Sequence, residues 1–146
     1  MNNVLSRPLA KQPATKETSM TKKTDMGMLI SHFLEAVTSV HKAHLKVTGP
    51  GSYAAHTAMG AFYDEIGDLA DNIAESYQGV TEQLLAIPES KQTVLSNASD
   101  CVSYLNDLYG KVNEIQKTCP YSEIINDLDN VKSLINSTKY KLIFLK

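Results

Sequence analysis

From Met26 onward, apolar residues recur every three or four positions, the spacing that places side chains on one face of an α-helix. The first such run continues to about Val47 and stops at the turn Thr48–Ser52, where Gly and Pro are concentrated. No segment shows the convincing alternation of apolar and polar residues that a half-buried strand requires. The pattern therefore predicts an all-α protein.

The same spacing predicts three further helices. Ser52 is a plausible N-cap for the second helix, and Gly79 is a normal stop for it. A connection over residues 80–95 contains Pro88 and has room for a short helical piece. Two pairs of amphipathic helices, joined by this longer link, predict a four-helix bundle. The predicted helices cover about 26–47, 53–77, 97–118 and 122–143.

Residues 1–24 differ from the rest of the chain and are predicted to be a disordered tail before a single domain at 25–146. They are rich in Lys, Thr, Ser and Pro and hold few apolar residues. The body is acidic, so only the tail is expected to contact a polyanion such as DNA, and a merely solubilising tail is the alternative. The basic residues of the tail are Arg7, Lys11, Lys16, Lys22 and Lys23.

The sequence contains no apolar run long enough for a membrane span and no secretion signal at its start, so a cytoplasmic protein without a membrane partner is expected. The two cysteines, Cys101 and Cys119, form no CxxC pair. They are expected to be reduced thiols packed in the bundle.

His44 and His56 flank the Thr48–Ser52 turn almost symmetrically. Antiparallel helices joined at this turn would bring the two imidazoles side by side, an arrangement typical of metal sites. The alternative is that these histidines, like His41 on the same stripe, are ordinary residues at the edge of the core. His32 lies off the apolar stripe and is expected to be solvated.

The second helix also carries an acidic stripe. Asp64, Asp71 and Glu75 share one side of the helix with His56, and Asp71 and Glu75 are four residues apart, so both face the same way. Paired carboxylates suit hard cations such as iron. A solvated acidic face is the alternative.

Distance separates these two groups of candidate ligands. Asp71 lies fifteen residues beyond His56, which is about 22 Å along a helix. The two residues therefore cannot share a metal within one chain. Either the groups are unrelated, or a second copy of the protein completes the site through an antiparallel twofold contact.

The segment from His44 to His56 resembles the signature of Dps proteins, the ferritin-like mini-ferritins of starved bacteria. The run from Asp71 to Glu75 resembles the Asp-x-x-Ala-Glu motif of the same family, at the spacing that the family requires. The resemblance implies a ferritin-like four-helix subunit in a hollow dodecamer, with iron sites between subunits. It implies that His44 and His56 of one subunit and Asp71 and Glu75 of another bind Fe(II), which is oxidised, usually by peroxide, and stored as mineral. Many family members also bind DNA through Lys-rich tails.

The sequence departs from this family at several positions. Gly60 stands where the family has an Asp ligand, and Asp64, one turn further on, is a possible substitute. We therefore expect a weakened or absent ferroxidase centre in which the four remaining ligands hold one metal, iron or zinc. A weaker candidate is Glu35 approaching Asp64 or Glu65. The alternative function is an inactive ferritin-like structural or interaction protein, of a kind that also occurs in phage-encoded and virion-associated sets.

Overall fold

The computed structural model describes residues 25–146, and the tail predicted at 1–24 lies outside this range. Over the described range the chain forms four α-helices and no strand, which confirms the predicted all-α bundle. The second helix is longer than predicted, because it continues through Gly79 and ends where Glu82 takes a positive φ of 54°. The helices are α1 (Met26–His44), α2 (Ser52–Thr81), α3 (Ala98–Gln116) and α4 (Ser122–Phe144).

The turn between α1 and α2 depends on glycine. Gly49 and Gly51 have φ angles of 84° and 78°, in the left-handed region that favours residues without a β-carbon. Gly51, rather than the predicted Ser52, occupies the N-cap position, and Ser52 is the first helical residue. The resulting turn is tight, so α1 and α2 pack against each other in antiparallel directions.

The connection between α2 and α3 runs along α1 and sets the topology. Its start lies beside the first turn of α1, where Ala86 contacts Gly27, and its later part reaches Glu35 through the amide of Thr93. It is not helical over residues 84–96, so the predicted short helical piece is absent. Because the connection crosses the length of the bundle, α3 starts at the same end as α2 and runs parallel to it.

The core lies between the four helices, which pack in the cyclic order α1, α2, α4, α3. Cys101 is buried within it, as predicted, and burial raises the pKa of its thiol from 9.0 to about 12. Cys119 is half-buried, and both thiols are free. The largest fully buried side chains include Phe33, Phe62, Leu29, Ile30, Met59, Ile66, Ile73, Leu105, Ile124, Leu128 and Ile135.

Glu35 joins α1 to the connection and to α3, so the prediction that it approaches Asp64 or Glu65 is wrong. Its Oε1 atom accepts hydrogen bonds from Ser39 Oγ at 2.5 Å and from the Thr93 amide at 2.7 Å. Its Oε2 atom accepts a hydrogen bond from the hydroxyl of Tyr104, whose pKa is raised by burial and by this contact. These three donors satisfy the carboxylate within the bundle.

Candidate metal site at the α1–α2 hairpin

The structure brings His44 at the end of α1 against His56 in the first turns of α2. The two rings are stacked, with centroids 3.6 Å apart and an angle of 22° between their planes. His56 is exposed and His44 is half-buried, so the pair lies at the surface of the hairpin. The tight turn between the helices produces this contact, as the spacing of the two residues predicts.

Each imidazole is held by the backbone of the other residue. Nδ1 of His44 lies 2.7 Å from the carbonyl oxygen of His56, and Nδ1 of His56 lies 3.0 Å from the carbonyl oxygen of His44. A carbonyl oxygen only accepts hydrogen bonds, so both Nδ1 atoms must carry a proton. In the neutral rings Nε2 then holds a lone pair, and within residues 25–146 Nε2 makes no hydrogen bond in either ring. Histidines that bind metals are commonly oriented by such a bond from the other ring nitrogen.

The stacking determines how this pair can donate to an ion. The lone pair of Nε2 lies in the plane of its ring, and the two planes are nearly parallel. An ion about 2.1 Å from one Nε2 and in the plane of that ring is well out of the plane of the other ring. In this geometry the two histidines are separate donors. Consistently, residues 25–146 contain no group of three or more His, Cys, Asp or Glu side chains that could hold a metal ion.

Two further rings, those of His41 and Tyr63, pack beside the imidazole pair. His41 stacks on Tyr63 with centroids 4.2 Å apart, and Tyr63 meets His44 edge-on at 5.3 Å. Tyr63 was not among the predicted site residues, although its position seven residues after His56 places it on the same helical face. The His44 ring therefore packs against two rings of α2, those of His56 and Tyr63.

The absence of a side chain at Gly60 leaves room for the ring of His44, a steric role that the sequence did not predict. A β-carbon built on Gly60 would stand 3.3 Å from Cε1 and 3.5 Å from Nδ1 of His44. The ring of His44 therefore occupies the space beside Gly60, and any side chain there would displace it. The glycine at this position fits the observed packing of the imidazole pair.

The carboxylates proposed as ligands lie further along α2 and do not meet the histidines within one chain. Asp64, Asp71 and Glu75 are all exposed. Their neighbours Glu65 and Asp68 are exposed too, and within residues 25–146 none of the five has a cationic side chain within 4 Å. Like charges three or four residues apart repel each other along a helix. Among residues 25–146 of one subunit, no cationic side chain therefore compensates this acidic face of α2.

Two other predictions concern the tail and the membrane. The proposed DNA-binding residues, Arg7 to Lys23, lie outside the described residues. None of the four helices in the described range is both long and apolar enough to cross a membrane.

His32, expected to be solvated, is instead half-buried, and burial and nearby Lys111 lower its pKa.

Comparison with known proteins places this chain in a family. A family model described as a family of unknown function, DUF5856, matches residues 44–142, which is more than half of the chain. The chain therefore belongs to this family. The matched range begins at His44 and includes all of α2, α3 and most of α4. No curated protein and no solved structure matches the chain.

Proposed function

We propose that this protein is a Dps-like, homo-oligomeric iron-binding protein that takes up Fe(II) as cargo at sites between two subunits. The observation that carries the proposal is the reciprocal hydrogen bonding of His44 and His56. It fixes both rings in the tautomer that leaves Nε2 unprotonated, at an exposed edge of the hairpin. A pair that served only to pack the core would need no such free donors.

The oxygen ligands come from a second copy in this proposal. In an antiparallel contact between two α2 helices, Asp71 and Glu75 of each subunit face His44 and His56 of the other. Because the stacked rings donate separately, each ion is held by one imidazole nitrogen, of His44 or of His56, and by carboxylate oxygens of the other subunit. This ligand set suits Fe(II) and also Zn(II). The bound cation also offsets the repulsion along the acidic face of α2, which has no cationic partner within the described residues.

The topology supports the same proposal. Residues 25–146 form two antiparallel helix pairs and a single connection that crosses the bundle between them, and ferritin-like folds have one such crossover. In this arrangement the α1–α2 hairpin carries the histidines and the acidic face on one pair of helices. A twofold contact of this hairpin with its copy would therefore complete two equivalent sites.

We propose that oxidation at this site is slow, because Gly60 supplies no carboxylate. Anionic oxygen ligands favour Fe(III) over Fe(II), so bound iron remains oxidisable. With hydrogen peroxide as oxidant, two Fe(II) ions each give up one electron, and one peroxide with two protons becomes two waters. Sequestration of iron, rather than fast turnover, is then the main activity.

A second candidate is a ferritin-like structural or interaction protein without metal chemistry. Gly60 favours it, because the close contact with His44 excludes a ligand side chain at that position. The two candidates differ in one measurable property, the affinity of the assembled protein for Fe(II).

Anaerobic equilibrium dialysis against Fe(II) tests the proposal. The Asp71→Asn Glu75→Gln variant loses two predicted ligands and should bind iron more weakly by about tenfold or more. The Glu65→Gln Asp68→Asn variant removes the same charge from the same helix and should retain the affinity of the wild type. Equal affinities in all three proteins, or no binding by the wild type, would contradict the iron proposal and favour the structural role.

A further inference from the structure

A second cluster of ionisable side chains lies apart from the imidazole pair, in a cavity between α1, the α2–α3 connection and α3. The cavity has a volume of about 300 Å³, which is at the lower end of the range for small-molecule sites. Its lining brings together two lysines and a histidine from three different elements. These are His32 on α1, Lys91 on the connection and Lys111 on α3.

The basic groups of this cavity form no ion pair with any carboxylate of residues 25–146. Lys111 is half-buried, and neither it nor Lys91 has a carboxylate within 4 Å among residues 25–146. His32 is half-buried and makes no side-chain hydrogen bond within the same range. Burial is the main cause that lowers the pKa of His32, the charge of Lys111 lowers it further, and the charge of Glu35 acts in the opposite direction. An anion beside these groups would offset the charge of Lys111 and so remove its lowering effect on the pKa of His32.

The two acidic residues that line the cavity, Glu35 and Asp107, form no ion pair with Lys91, Lys111 or His32. Glu35 is buried and directs both of its oxygens to Ser39, Thr93 and Tyr104. Asp107 is exposed and forms no ion pair among the described residues. Within residues 25–146 the cavity therefore combines two lysines without an ion pair, a histidine whose pKa is lowered, and a carboxylate that is already hydrogen-bonded.

We propose that this cavity binds a small oxyanion of the size of phosphate, which contacts Lys91, Lys111 and His32. Lysine ammonium groups and a protonated imidazole donate hydrogen bonds to such an anion and neutralise its charge. Ser90, which also lines the cavity, supplies a hydroxyl on the connection. Binding raises the pKa of His32, so near neutral pH the site takes up a proton from solvent together with the anion.

Isothermal titration calorimetry with inorganic phosphate tests this proposal in the metal-free protein. The wild type should bind phosphate saturably, with a Kd of about 1 mM or tighter. The Lys111→Met variant should bind about tenfold more weakly. The Lys139→Met variant removes one half-buried lysine from α4, outside this cavity, and should bind like the wild type. Circular dichroism identifies a variant that fails to fold, and the His32→Asn variant then provides a second test of the same contact.

The proton uptake gives an independent readout. Calorimetry in two buffers of different ionisation enthalpy should show net uptake near neutral pH, and this uptake should disappear in His32→Asn. The ring resonances of His32 should titrate at higher pH when phosphate is present. No saturable binding by the wild type, or equal binding by the Lys111→Met and Lys139→Met variants, would overturn the proposal. Binding without any change in the titration of His32 would also overturn it.

Discussion

The imidazole of His44 rests against the backbone of Gly60, with Cε1 only 3.3 Å from the position of a β-carbon on that glycine. Ordinary van der Waals contact needs a few tenths of an ångström more. The position is therefore closed to larger side chains for as long as His44 stacks on His56. The same contact links the backbone of α2 to the orientation of a candidate iron ligand.

Replacing Gly60 with alanine tests this link. The matched control is Gly67→Ala, since a β-carbon there meets only Val37 at an ordinary distance of 3.6 Å. Gly67→Ala should raise the free energy of unfolding by about 1 kcal/mol, because alanine favours the helix. Gly60→Ala should fall below that value by about 1 kcal/mol or more, because His44 must move. Urea denaturation of both variants measures the difference, and equal stabilisation would show that the contact imposes no constraint.

A similar close approach fixes the α2–α3 connection to α1. The carbonyl oxygen of Ala86 occupies the place where a β-carbon on Gly27 would stand. Gly27→Ala should therefore lower the free energy of unfolding by about 1–3 kcal/mol, as overpacking does in other cores. Gly110→Ala, in the exposed middle of α3 with open space around it, should instead raise it by about 1 kcal/mol. Thermal unfolding of the pair would contradict this account if both variants moved in the same direction.

The buried thiol of Cys101 should make the free energy of unfolding fall as the pH rises in the alkaline range. Its pKa is raised in the folded protein from 9.0 to about 12. Above pH 9.0 the unfolded chain loses this proton and the folded protein keeps it, so stability is fully present below that pH and falls as the pH rises towards 12. The slope from this group is about 1.4 kcal/mol per pH unit. The raised pKa of Tyr104 acts with the same sign at higher pH.

Denaturation curves across this alkaline range check the prediction. The Cys101→Ala variant should lose stability less steeply with pH than the wild type, whatever its stability at neutral pH. Cys119→Ala, which removes the half-buried thiol, should keep the slope of the wild type. An unchanged slope in Cys101→Ala would mean that other groups cause the alkaline loss.

The acidic face of α2 predicts opposite effects on stability and on iron binding. Asp71 and Glu75 are four residues apart, exposed and without a cationic partner in the described range. Asp71→Asn should raise the free energy of unfolding of the metal-free protein by about 0.2–0.5 kcal/mol, because it removes a like-charge pair. The gain should shrink at high salt, where exposed charges are screened. Calorimetric scans at low and high salt measure it, and a loss of stability at low salt would indicate that Asp71 has a structural contact.

The sequence predicted the helices well, because their apolar residues follow a regular period. It also predicted that His44 and His56 would be neighbours, since a short turn leaves two flanking positions little freedom. The path of the connection was not predictable in the same way. It depends on long-range contacts such as Thr93 with Glu35 and Ala86 with Gly27, and these have no local signal.

At the candidate site, too, some features could be read from the sequence and others depend on contacts that only the structure shows. The sequence shows that Gly60 lacks a carboxylate, but only the packing of His44 explains why a glycine fits there. The ring tautomers follow from two carbonyl contacts that no residue pattern encodes. The surroundings of Glu35 and His32 were predicted wrongly because residues far away in sequence determine them. Glu35 is bonded by Thr93 on the connection and by Tyr104 on α3, and His32 is partly buried near Lys111 of α3.

Mixed assemblies of two defective subunits test the central claim that each iron site is shared between two chains. One subunit carries His44→Ala and His56→Ala, and the other carries Asp71→Asn and Glu75→Gln. Each variant assembled alone should bind Fe(II) more weakly than the wild type by about tenfold or more. Where one subunit of each kind meets, one of the two shared sites recovers the native histidines and carboxylates, so the coexpressed and copurified mixture should regain up to half of the wild-type iron. A mixture that binds no more iron than the separate variants would contradict the account, as would a wild-type protein that light scattering shows to be a monomer.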